Sequence, residues 1–241
     1  MENPRVREQV FLTLAAVFIA ALIACNLIFR KFFVWEIPVL GLIGLEPRME
    51  LSVGILAYPV TFICTDVLSE FYGRRRVSQL VTAGFFASVF VVGLVMLSNW
   101  VPAAGWSAVS DATFDLVFGI QGVAVTASMC AYLGAQYLDI RLFHYWKRRT
   151  AGRHLWLRNN ASTFTSQLVD TILVTTILSL LGASEITPER LPILIANGVV
   201  FKWFVAVVDT PLVYGAVWFL RNRLGIEEAP ADERPARTRM F

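Results

Sequence analysis

Asp66, Glu70, Gln167, Asp170, Lys202 and Asp209 lie in or beside the most apolar runs of this sequence. Their spacing is helical. Thr163, Gln167 and Asp170 fall at i, i+4 and i+7, one stripe of a helix, with Thr171 beside it. Asp66 and Glu70 are one turn apart. Lys202 and Asp209 share a face about 10.5 Å apart along the axis, too far for a direct ion pair but close enough to line one pocket. Asn197 adds an amide to the same helix. Among the four central charges three acids face one lysine, a surplus suited to a cationic or donor-rich ligand, or to a proton relay. The competing reading is structural: Lys202 between Asp170 and Asp209 would form a buried triad that locks helices together.

The elements that must hold these groups follow from composition. Of 241 residues 56% are hydrophobic and only 16% charged, and the mean hydropathy is +0.61. Such a chain is not a soluble enzyme, a disordered protein or a nucleic-acid binder; its solvent is a lipid bilayer. Six stretches have the roughly 20 apolar residues a spanning helix needs: 10–29, 52–71, 77–101, 119–143, 162–183 and 191–220. Fifteen Lys and Arg fall in the segments between them that are inside if the N-terminus is cytoplasmic, against four outside. That asymmetry obeys the positive-inside rule and needs an even helix count. The expected fold is therefore an all-α integral membrane protein. It has six transmembrane helices, both termini cytoplasmic, one membrane domain over 1–224 and a disordered cytoplasmic tail over 225–241.

A charge at the centre of a spanning helix costs about 2.5–3.5 kcal/mol. Asp66, Asp170, Lys202 and Asp209 facing lipid would together cost about 10–14 kcal/mol, comparable to the stability of a whole domain. They must face a protein interior or a wet cavity. Pro59 and Pro211 stand near Asp66 and Asp209 and should kink their helices, freeing carbonyls. Ala127, Ala131, Ala135 and Asp139 make a small-residue stripe for close helix packing. The segment 32–51 is broken by Pro38, Gly41, Gly44 and Pro47 and reads as a short hairpin or re-entrant segment after helix one. The run ending at Cys25 imitates a lipoprotein processing site, but the apolar residues after it favour a retained helix. Cys25, Cys64 and Cys130 read as packing residues, and His144 and His154 as loop residues. No phosphate loop, paired-histidine metal motif or nucleophile elbow occurs, so neither cofactor nor metal is expected, and no enzyme.

The stretch YPVTFICTDVLSEFYG from Tyr58 to Gly73, followed by basic residues, resembles the signature of the queuosine precursor transporter family, also called the vitamin uptake transporter family. Three further segments agree: ACNLIFRK from Ala24 to Lys31, RNNASTFTSQLVDT from Arg158 to Thr171, and Lys202 with DTPLVY from Asp209 to Tyr214. The resemblance runs from the first helix to the sixth. It implies a bacterial inner-membrane importer of 7-deazaguanines, 7-cyano-7-deazaguanine or its aminomethyl relative, working by alternating access on a nucleobase-like small molecule.

The residues suit that class. A guanine-like edge carries adjacent N–H donors that a carboxylate accepts in bidentate fashion. Asp170 is the expected base reader. Gln167 or Asn197 would read the ring carbonyl, and Tyr58, Trp203 or Phe62 would stack on the ring. Asn26 and Arg158 complete the expected site with Asp66, Glu70, Lys202 and Asp209. The lipid bilayer is the second partner, a homo-oligomer is compatible with the sequence, and no nucleic acid is expected. The rival is a membrane-embedded binding subunit that needs a separate ATP-driven module.

Overall fold

The computed structural model describes residues 3–29, 31–36, 48–119, 122–180, 189 and 191–229; the side chains of 122–128 and 178 are outside that description. Helix α1 runs Pro4–Ile28, with Asn3 capping its first turn (Arg5 N to Oδ1, 3.1 Å) and Pro4 at a position where no amide hydrogen is needed. Strands β1 (Phe32–Glu36) and β2 (Arg48–Ser52) pair antiparallel, Phe32 opposite Ser52 and Glu36 opposite Arg48. A single 3₁₀ turn, Val53–Leu56, leads into α2 (Tyr58–Trp100). A short α3 (Asp111–Phe118), α4 (Gly122–Arg149), α5 (Leu155–Leu180) and α6 (Leu191–Asn222) follow.

The hairpin expected after helix one is present as a pair of short strands, a small departure from an all-α fold; its connection, residues 37–47, lies outside the described residues. Its alternation sends Phe33, Trp35, Met49 and Leu51 to one face, where they pack on Phe201 and Val205 of α6. Trp35 meets Phe201 edge-on at 5.4 Å.

Helix α2 is two arms. Gly73 sits between them at φ 77°, ψ 169°, a conformation that only glycine adopts without strain. The contacts show the chain reversing there. Gly54, just before the first arm, lies against the Cys25 carbonyl and Phe29 at one end of α1. Tyr72, at the arm's end, donates to the carbonyl of Arg7 at the other end of α1 (2.6 Å). Along the second arm, Arg76 pairs with Glu8 (2.9 Å) and Gly84 lies against Phe18 and Leu22, so the chain has turned back.

One correction concerns Pro59. The helix begins at Tyr58, so Pro59 stands in the first turn, where its missing N–H costs nothing and no kink follows. Pro211 is inside α6 as expected. The beginning of the tail also differs from expectation. Residues 225–229 fold back, Ile226 is buried in the core, and the Ala229 amide donates to the Glu70 carbonyl (2.9 Å). Residues 230–241 lie outside the described residues.

Among the described residues three helical stretches are long and apolar enough to cross a membrane: Pro4–Ile28, Val53–Trp100 and Leu191–Asn222. Helices α4 and α5 carry the polar residues of the interior, such as Gln136, Asp139, Ser162, Gln167 and Asp170, and this dilutes their apolar character. They pack on each other, and Ala131 and Ala135 of the small-residue stripe are buried. The outer surface is apolar: Phe86, Phe90, Leu94, Val207, Leu212 and Phe219 are exposed, which in water would be a liability and in lipid is the expected coat.

Candidate functional site

A cavity of about 530 Å³ opens among α1, both arms of α2, α4, α5, α6 and the hairpin. Its walls are largely apolar and aromatic, with Phe29, Phe32, Tyr58, Phe85 and Tyr132 contributing rings. Its charged floor comes from α5 and α6. Asp170 Oδ2 accepts from Tyr58 Oη (2.7 Å) and from Lys202 Nζ (2.7 Å). The Lys202 ammonium also lies over the Tyr58 ring, 4.3 Å from its centroid. The pair is nearly dry, with side-chain exposures of 12% for Lys202 and 5% for Asp170.

Local sequence explains this geometry. Gly198 is one turn before Lys202, and a Cβ there would stand 3.2 Å from Thr171 Cγ2; its absence lets α6 approach α5 at the level of the ion pair. Tyr58 is delivered by the first turn of α2. Gly54, whose Cβ would stand 2.7 Å from the Cys25 carbonyl, presses the preceding turn onto α1 and sets where that helix starts.

Among the described residues, three buried polar atoms on the cavity lining lack a protein partner: Asn26 Nδ2, Asp170 Oδ1 and Ser88 Oγ. They comprise an amide donor, a carboxylate acceptor and a hydroxyl, and burial without partners is costly unless a ligand supplies them.

Of the residues singled out from sequence, Asn26, Tyr58, Asp170 and Lys202 line the cavity. The others do not. Asp66 is buried in a second polar layer, its neighbours in electrostatic reach being Asp139, Asp209, Glu70 and Arg158, and its Oδ1 is unpartnered. Asp139 accepts from Ser166 Oγ there (2.9 Å), with Thr163 of α5 beside it, and Gln167 is buried on the same helix. Asp209 is half-buried, and Lys202 pairs with Asp170 rather than bridging to it.

Glu70 and Arg158 lie farther still, at the end of the molecule that holds the basic residues. Glu70 Oε1 accepts from Arg158 Nη2, the Lys147 ammonium lies 3.2 Å from Oε2 as an ion pair, and the Glu70 carbonyl accepts from Lys147 Nζ (2.9 Å) and the Ala229 amide (2.9 Å). Arg158 Nη1 donates to the Gly152 carbonyl (2.7 Å). The cluster ties α2, α4, α5 and the chain after α6 together. His144, one residue beyond the expected span, is buried beside it. Burial first, then Lys147 and its basic neighbours, pushes His144 down to about 3, so it is neutral.

Trp203 faces away from the cavity: its ring packs on Phe164 at 5.3 Å and its Nε1 donates to the Phe164 carbonyl (3.1 Å). Asn197 is half-buried and Phe62 packs on Tyr58 at 5.0 Å; neither lines the cavity. Thr171, placed beside the α5 stripe by the sequence, also lines the cavity; lining residues the sequence did not mark for the site include Cys25, Ser88, Tyr132 and Thr175. Thr175 continues the line of Thr163, Gln167 and Thr171 at a spacing of four and was recoverable that way. Ser88 stands in an apolar run with no periodic signal.

The family described as "Putative vitamin uptake transporter" matches residues 52–216. A "Probable queuosine precursor transporter" of Bacillus subtilis (strain 168) is 32% identical over 175 residues, covering 71% of this chain and 73% of that one. No solved structure matches.

Proposed function

Since the chain belongs to the vitamin uptake transporter family, whose members are membrane transporters, we propose that it imports 7-deazaguanine precursors of queuosine by alternating access. The substrates are 7-cyano-7-deazaguanine and its aminomethyl relative, and the membrane is the bacterial inner membrane. The observation that carries the reading is the cavity whose lining includes a carboxylate oxygen of Asp170 and an amide of Asn26, both without a protein partner. A guanine-type edge places adjacent N–H donors next to a ring carbonyl. Asp170 Oδ1 accepts from the donors, and Asn26 Nδ2 donates to the carbonyl. Lys202 and Tyr58 hold Asp170 in place through its Oδ2 and leave Oδ1 for the substrate. Tyr58 and Phe85 offer faces for the flat bicycle, and a volume of about 530 Å³ falls in the range of small-molecule sites.

The six-span arrangement with both termini cytoplasmic is part of this proposal. Its support is the gathering of Arg7, the Arg74–Arg76 run, Lys147, Arg158 and Arg221 at one end, tied by contacts to Phe71, Glu8, Glu70 and Glu228. The cavity reaches toward the hairpin end, through Phe32, Glu50 and Ser52, while the Glu70 cluster closes the opposite end. The conformation is thus the outward-facing member of an alternating pair. Asp66, Gln167 and Asp209 line the route that opens when the inner cluster separates.

Uptake of radiolabelled 7-cyano-7-deazaguanine into liposomes holding only this protein tests the reading. Saturable uptake, blocked by excess cold ligand and lost in Asp170→Asn, is expected. Uptake that requires an ATP-driven partner, or none at all, overturns it.

A further inference from the structure

The cavity wall on the second arm of α2 carries one polar group, Ser88. Its side chain is buried, with 1% of the residue exposed, and its hydroxyl has no partner. Hydroxyls in helices without other partners normally donate back to the carbonyl one turn earlier. Two neighbours on the same arm do so: Thr82 to the Ser78 carbonyl (2.7 Å) and Ser98 to the Leu94 carbonyl (2.8 Å). Ser88 does not, although it lies on the same stretch of regular helix. A buried hydroxyl that declines its local acceptor and lines a cavity is placed for a ligand.

Its surroundings limit what part of a ligand that is. Phe29, Phe85, Val92 and Met129 form an apolar cluster on the same wall. The second arm packs on α1 and α4, through Gly84 against Phe18 and Leu22 and Thr82 against Tyr137, whereas Asp170 and Lys202 come from α5 and α6. Ser88 and Asp170 therefore stand on different walls of one cavity.

Resting on the import reading above, we propose that Ser88 is a specificity-determining residue that hydrogen-bonds the substituent on the five-membered ring of the substrate. With the N–H edge of the six-membered ring on Asp170, the far end of the bicycle reaches the wall of Ser88. A nitrile there is a slim, linear acceptor: its carbon stem suits Phe85 and Met129, and its nitrogen takes the Ser88 hydrogen. The hydroxyl then makes the bond that the helix leaves unmade.

Equilibrium binding to the purified full-length protein in nanodiscs separates this from a packing role. The probes are 7-cyano-7-deazaguanine and unsubstituted 7-deazaguanine. Ser88→Ala should weaken the nitrile compound about tenfold and leave 7-deazaguanine within about twofold, the loss of one hydrogen bond. Asp170→Asn should weaken both. Ser88→Cys, close in volume and a poor donor, reads the same ratio if the alanine variant fails to fold. Equal losses for the two compounds, or no loss for either, overturn the role of Ser88 while leaving the import reading standing. A wild-type protein that binds neither compound overturns the import reading, and this inference with it.

Discussion

Neutralising Asp170 separates its structural task from its recognition task. Its Oδ2 is the counter-ion of Lys202 at 2.7 Å and the acceptor of Tyr58 at 2.7 Å, in a pair only 5% and 12% exposed. Asp170→Asn leaves the ammonium buried without an opposite charge, a change that costs about 3–5 kcal/mol in comparable buried pairs. Removing both charges, as in Asp170→Asn with Lys202→Met, takes away the stranded cation; replacing a whole buried pair with groups of similar volume is often close to neutral. The double variant should therefore regain most of the lost stability, ending within about 2 kcal/mol of wild type. Transport should not return, because Oδ1 is no longer a carboxylate oxygen facing the substrate edge. The assay is chemical denaturation in detergent paired with liposome uptake. Two results would refute the reasoning: uptake restored in the double variant, or a single variant as stable as wild type. The first removes Asp170 from recognition, and the second removes the buried ion pair from the fold.

Other perturbations follow from the same contacts. Gly73→Ala forces a side chain onto φ 77°, ψ 169° and should destabilise the protein by about 1–3 kcal/mol, read as a lower denaturation midpoint. Glu70→Gln strands Lys147 and Arg158 in a site where both are about 3% exposed, and should cost about 3–5 kcal/mol by the same measurement. His144 is held neutral, its folded value depressed to about 3 against an unfolded value near 6.5. A depressed histidine lets the unfolded chain bind the proton first, so its stabilising contribution is full above about pH 6.5 and falls as pH drops toward about 3. At pH 5 the loss is about 2 kcal/mol, and a His144→Gln variant should show a correspondingly flatter stability curve between pH 7 and 5. An unchanged slope would show that His144 is not buried as a neutral ring.

Some of the site was legible early because lipid makes polar groups expensive. Asp170 and Lys202 announced themselves by sitting in apolar runs, and Asn26 and Tyr58 by the segments that resemble the family. Glu70 carried the same signal, yet it closes an ion cluster at the far end, because a buried charge reports only that it has a protein or solvent partner. Trp203 and Asn197 share α6 with Lys202 and still miss the cavity: residues one and five positions away on a helix point elsewhere. Pro59 was legible as a helix breaker but not as a helix starter, since the difference depends on where the helix begins, which Gly54 fixes by its contact with α1.

The sequence alone determined that this is a membrane protein, which residues are barred from lipid, and which of them share a helical face. Those are consequences of transfer free energy and of a 3.6-residue period, both local properties of the chain. Tertiary structure alone decided which acid meets which base and which polar atoms are left for a ligand. Periodicity fixes a residue's direction on its own helix, but not the rotation of that helix against its neighbours. That rotation is set by close approaches such as Gly198 on Thr171 and by the reversal at Gly73, and they bring Asp170, Lys202, Tyr58, Asn26 and Ser88 to one cavity from four helices.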